Sequence, residues 1–152
     1  MSRVVIPKLI LDEIKYTGKE AYDGMARGVL FGGCDNKRIK ISGIYNFPPH
    51  KPKRGFFNSL WDDILVTSGL FGYVCSSIYN RKNATRQGEQ PVELTFCTYP
   101  FGTNMLEAAI ERQTKERPEN PSQVGKFYYS VPSGKALVLD SDSNRLDLEI
   151  VE

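Results

Sequence analysis

The sequence predicts a single α/β (α+β) domain over residues 1–152, a mixed and mostly antiparallel sheet flanked by about three helices. Three observations lead there. Short apolar runs, several alternating with polar residues, recur between Gly, Pro and Asn/Asp punctuation, as strands do. Three longer stretches carry helix starts, stops or 3.6-residue periodicity. The aromatic share is 11%, with eight Tyr and eight Phe, which favours strands around a firmly anchored core.

Taken in order, residues 3–6 read as a strand stopped by Pro7. Pro7 suits the opening of a helix, whose first N–H groups need no intrahelical partner. That helix runs to about Tyr16, with Leu9, Ile10, Ile14 and Leu11 as its apolar face. Residues 28–33 form a buried strand entering a glycine turn, and 37–47 return antiparallel to it through Ile39, Ile41 and Ile44. The prolines at 48, 49 and 52 forbid regular pairing, so 48–57 is an inserted loop. A helix at about 58–68 follows, with Asp62 and Asp63 near its start, where the macrodipole favours acids. Residues 70–78 read as a central strand, 79–90 as a basic loop, and 92–99 as the next strand. An inserted helix at 104–117 ends at Pro118 and holds a Glu111–Lys115 pair. The remainder, at 126–131, 135–140 and 145–151, is a terminal meander.

Composition narrows the function classes. A hydrophobic share of 40% and a charged share of 25% exclude disorder as a description of the whole chain. A net charge of +2 does not by itself point to nucleic acid. The three cysteines are odd in number and lack C-x-x-C spacing, so they are expected as reduced thiols, two of them in strands, in a cytoplasmic, intracellular protein. The first residues show no apolar signal region, and no apolar run approaches the length of a membrane helix.

Three segments resemble the MPN, or JAMM-type (JAB-like), domain of zinc-dependent deubiquitinases and their relatives. Residues 26–32 (Ala-Arg-Gly-Val-Leu-Phe-Gly) resemble that family's strand of a small residue, two large apolars and a closing glycine. Residues 72–78 (Gly-Tyr-Val-Cys-Ser-Ser-Ile) resemble its Gly-x-x-His-Ser-His-Pro segment. Residues 94–100 (Leu-Thr-Phe-Cys-Thr-Tyr-Pro) resemble the apolar strand, often ending in Tyr-Pro, that follows the metal site. The resemblance implies an MPN-like (cytidine-deaminase-like) architecture. Active members hold zinc with two histidines and an aspartate, and a glutamate from the early strand takes a proton from the metal-bound water. Three protein ligands and one open position are what hydrolytic zinc requires. Set against that pattern, the glutamate position falls on Met25 and the histidine positions on Cys75 and Ser77, with Ser76 between them. No Ser-x-x-Asp follows between 78 and 92. The resemblance therefore implies a vestigial cleft at Met25, Cys75, Ser76 and Ser77, with no catalytic residues, no metal and no cofactor.

Outside the resemblance, Cys75 with His50, the only histidine, can be read as a thiolate–imidazolium pair for nucleophilic catalysis. The expected alternative is a buried strand thiol and a loop imidazole that never meet. Asp62-Asp63 serve the helix dipole rather than a cation, and the glycines at 28, 32 and 33 match no phosphate-binding pattern. Residues 48–90 hold six Lys/Arg against three acids, with Phe56, Phe57 and Tyr79 beside them, a mixture that stacks single-stranded bases. Residues 139–152 hold five acids and one arginine, so the surface is polarised.

The leading expectation is a non-catalytic MPN-like domain acting as a protein–protein interaction scaffold, its partner an active relative or a second copy. Its candidate surface is Lys53, Arg54, Phe56, Phe57, Arg81, Lys82 and Arg86, with the 104–117 helix. The alternative is a small nucleic-acid-binding protein using basic loops 50–54 and 81–86. A hydrolase of unrecognised type is the third.

Overall fold

In this computed structural model, residues 3–21, 24–47, 56–102, 123–142 and 144–152 are described, with side chains in the helix starting at Phe56 described from Thr67 onward. The elements run β1 (Arg3–Pro7), α1 (Lys8–Glu20), β2 (Arg27–Asp35), β3 (Arg38–Asn46), α2 (Phe56–Arg86), β4 (Gln90–Tyr99), β5 (Gln123–Ser130), β6 (Lys135–Asp140) and β7 (Asp147–Val151). The seven strands form one sheet in the order β6-β5-β4-β2-β3-β1-β7.

This corrects the expected architecture in two ways. Among the described residues there are two helices rather than three. The sheet is also not mostly antiparallel: β1–β3, β1–β7 and β4–β5 are parallel, against antiparallel β2–β3, β2–β4 and β5–β6. Nor is it an open layer flanked by helices, because it curls into a nearly closed barrel. At the seam, Leu146 N–H donates to Val138 O at 2.9 Å and Leu139 bridges Arg145, joining β6 to the run that enters β7. The helix expected at 104–117 and the loop residues His50, Lys53 and Arg54 lie outside the described residues.

The main core fills the barrel's concave face. Val4, Ile6, Leu30, Ile39, Ile41, Val92, Leu94, Phe96, Phe127, Tyr129 and Val138 meet Leu11 and Ile14 of α1 there. Leu9, expected on the buried face of α1, is instead 83% exposed, since it stands about 200° around the helix from Leu11. The β2–β3 hairpin turns on Asn36 and Lys37, both at positive φ (48° and 67°), as a two-residue turn with the twist of its strands requires. Within it the register shifts between Phe31 and Gly32, so Phe31 faces Gly43 while Gly32 faces Ile41. That bulge is why Ile39, Ile41 and Ile44 all reach the core although their last step is three residues.

The largest correction concerns 70–78 and 79–90, expected as a strand and a loop. Residues 70–78 and 79–86 belong to α2, a helix of 31 residues that also absorbs the expected 58–68 helix, while 87–89 connect it to β4. No described helix is long and apolar enough to cross a membrane.

Candidate interaction surface and cleft

Helix α2 lies on the opposite face of the sheet from α1, and it is attached by small and polar groups. Gly69, Ser77, Asn80 and Ala84 are buried, and Tyr73 is half-buried among them. Asn80 Nδ2 donates to Gly32 O (3.1 Å) and Val92 O (3.4 Å), which pins the helix at the bulge. The Tyr73 hydroxyl donates to the buried Glu93 carboxylate at 3.0 Å, and its ring stacks on Phe31 at 6.1 Å. The Tyr45 hydroxyl donates to Gly69 O at 2.9 Å. The buried Asn80 and Glu93 side chains thereby find partners, so the attachment does not depend on apolar burial alone.

The outward face carries the apolar residues. Leu70, Phe71, Val74, Ile78 and Tyr79 are all exposed, Phe71 at 72% and Val74 at 50%. Leu70, Val74 and Ile78 are spaced four apart and make one stripe, with Phe71 and the exposed Cys75 beside it. A helix on a sheet ordinarily turns such a stripe inward. Here the polarity is reversed, and the exposed side is the apolar one.

The sequence-predicted residues fall as follows. Arg81, Lys82 and Arg86 are exposed on the last turns of α2. Phe56 and Phe57 begin that helix rather than closing a loop. Cys75, Ser76 and Ser77 lie in mid-helix, and their burial runs from exposed through intermediate to buried. Consecutive helical residues stand about 100° apart, so Cys75 and Ser77 diverge and cannot address one ligand. A His-x-His arrangement needs a strand, where residues i and i+2 share a face. The expectation that Cys75 is a buried strand thiol is corrected by the same helix.

Met25 is part of a small hydrophobic cluster. It packs with Cys97, Phe101 and Leu137 against Tyr99, Tyr128 and Leu139. The next strand position is tied to it through Thr98, which is fully buried. Thr98 Oγ1 accepts from Ala26 N–H at 2.7 Å and donates to Gly24 O at 3.0 Å, while Thr98 N–H donates to Ala26 O at 2.9 Å. Cys97 and Tyr99, i and i+2 on β4, face the same side, where Tyr99 stacks on Tyr128 at 6.1 Å. Burial first, and then the neighbouring Cys97, pushes the Tyr128 phenol above its ordinary range. Among the described residues no group of three His, Cys, Asp or Glu side chains is gathered closely enough to hold a metal ion. Sequence reasoning gave no weight to Cys97, Tyr99 and Tyr128, which the register of β4 and β5 brings to one face of the sheet.

No protein-family model matches the sequence, and no curated protein matches it. Solved structures do match. The solution structure of protein DSY2949 from Desulfitobacterium hafniense is 13% identical, with a TM-score of 0.56 over 98% of this chain and 93% of that one, and it shares the fold. The crystal structure of AF2198, a JAB1/MPN domain protein from Archaeoglobus fulgidus, is also 13% identical and is covered end to end, with a TM-score of 0.48, too low for a common fold to follow from it.

Proposed function

We propose that this is a non-catalytic MPN-like domain that works by binding another protein, through the outward face of α2. The observation that carries the binding half is the reversed polarity of that helix. Leu70, Phe71, Val74 and Ile78 face water while Gly69, Ser77, Asn80 and Ala84 face the sheet. Contiguous exposed apolar surface of this kind marks interaction sites, and aromatic side chains such as Phe71 and Tyr79 are typical binding hot spots. The surface expected from sequence thus moves from the flanking loops to the body of the helix, with Arg81 and Lys82 at its rim.

The non-catalytic half is supported by the residues around Met25. With strand geometry as the guide, Cys97-Thr98-Tyr99-Pro100 rather than 75–78 takes the place of His-Ser-His-Pro, and Thr98 supplies the central hydroxyl. The donors there are one thiol, phenols, and a hydroxyl already engaged with Ala26 and Gly24. Zinc takes imidazole, thiolate or carboxylate ligands in sets of at least three, so this set does not fit it. Elemental mass spectrometry on protein purified without a tag or chelator is expected to find less than about 0.1 zinc per chain. Near one zinc per chain would overturn this half of the reading.

The binding half is tested with the double variant Val74→Glu/Ile78→Glu. Both side chains are about half exposed, so circular dichroism melting should stay within a few degrees of wild type. Sedimentation and capture experiments should show a defined partner, or a second copy, held by the wild type and released at least about tenfold by the variant. Capture that falls steeply with salt and survives the double variant would instead favour phosphate contacts through Arg81, Lys82 and Arg86. A wild-type chain that binds nothing the variant does not bind equally would end the proposal.

A further inference from the structure

A pocket of about 300 Å³ opens on the face of the sheet that carries α2, over β2, β4 and β5. Arg27, Thr95, Cys97, Tyr99, Lys126 and Tyr128 supply its side chains. Their common orientation follows from register. Arg27 pairs with Cys97, Cys97 with Tyr128, and Thr95 with Lys126, and partners across a ladder project to the same face. Arg27 and Lys126 therefore stand on the two strands that flank β4. Two strand spacings and a two-residue stagger put their backbones about 12 Å apart, with Cys97 and Thr95 between them.

Among the described residues, the charges in this place are unbalanced. Elsewhere on the sheet Arg3 and Arg38 meet Glu149 at 3.5 and 3.7 Å, and Lys40 meets Glu89 at 3.7 Å. Among the described residues neither Arg27 nor Lys126 has a carboxylate partner. Two like charges held over one concavity raise its potential and draw in an anion. Low-polarity walls from the nearly buried Tyr99 and Tyr128 lessen the screening of that field by water.

We propose that this pocket binds a small organic oxyanion, a carboxylate or phosphate group held between Arg27 and Lys126 over Thr95 and Cys97, with its body against the Tyr99 and Tyr128 rings. The volume is at the lower end for ligand sites and suits a small acid rather than a polymer. This binding is separate from the α2 surface and does not depend on it.

Cys97 provides the reporter, and the exposed Cys75 on α2 the internal reference. Alkylation rates at both thiols are measured by peptide mass spectrometry with anionic iodoacetate and neutral iodoacetamide. The iodoacetate-to-iodoacetamide rate ratio at Cys97 is expected to exceed that at Cys75 by at least about fivefold at low salt. The Arg27→Gln/Lys126→Gln double variant should bring the two ratios together. Inorganic phosphate or benzoate should slow iodoacetate at Cys97 and leave Cys75 unchanged, and whichever protects at lower concentration identifies the headgroup. Equal ratios in the wild type, or a ratio the double variant leaves alone, would overturn the proposal. If neither reagent alkylates Cys97, amide shifts on titration with phosphate and with benzoate decide: saturable changes at Arg27, Cys97 and Lys126 sustain it, and their absence ends it.

Discussion

Replacing Gly32 with alanine should cost at least about 3 kcal/mol and could leave no folded protein at ambient temperature. A Cβ at Gly32 would run into the carbonyl oxygen of Lys40, with Lys40 C at 2.8 Å and Ile41 Cα at 3.0 Å behind it. All three are backbone atoms of the neighbouring strand, so no side chain can swing aside. Relief would require parting β2 from β3 at the bulge, where Asn80 also reaches Gly32 O to hold α2. One methyl group would thus weaken the barrel and the seating of the helix together. Urea unfolding of Gly32→Ala beside Gly43→Ala makes the test. At Gly43 the new Cβ would find only Phe31 Cβ, at an ordinary 3.8 Å, and the change should stay within about 1 kcal/mol. A Gly32→Ala protein as stable as the Gly43 variant would show that the bulge is not the tight point described.

Thr98→Val should cost about 2–5 kcal/mol although it alters almost no volume. The Thr98 hydroxyl serves two backbone groups at once, accepting from the buried Ala26 N–H and donating to the partly buried Gly24 O. Valine would leave both unpaired at a fully buried position, and each such orphan costs about 1–3 kcal/mol. Thr98→Ser keeps the hydroxyl and loses one methyl, so it should recover most of the stability. The same variants bear on the cleft. Gly24 and Ala26 flank Met25, so releasing them should also speed alkylation of Cys97 by iodoacetamide. Thermal melts of the three proteins give the first result and peptide mass spectrometry the second. Serine and valine variants of equal stability would sink the hydrogen-bond account.

Those two positions also show what could be read from the residues alone. The Ile39, Ile41, Ile44 spacing already contained the bulge, as two steps of two and three residues on one core face. The Pro7 helix start and the strand at 135–140 were equally local signals, and each appears in the structure, whereas the glycines at 32 and 33 lie within β2 and the turn falls on Asn36 and Lys37. The segment 70–78 misled because its signal is tertiary. A run of Leu, Phe, Tyr, Val, Cys and Ile resembles a buried strand, and a short apolar run does not reveal its own period. The helical order lies in the small and polar residues, Gly69, Ser77, Asn80 and Ala84, which turn inward because they reach specific atoms of the sheet. An apolar face turned outward has no signature until its backing is known. The parallel pairings were invisible for a different reason, since they join strands separated by long stretches of chain.

The place of β1 between β3 and β7 has a consequence for how the chain reaches this state. Arg3 pairs with Asp147 and Pro7 with Val151, so the second side of β1 is completed by a strand from the far end of the sequence. Closing so long a loop carries a large entropic cost before any contact compensates it, and folding dominated by such pairings is slow. Until β7 arrives, one edge of β1 presents its N–H and C=O groups to whatever strand is nearest, including another unfinished chain. Closure of β7 onto β1 is therefore expected late in folding, and the interval before it is when the chain should be most open to aggregation.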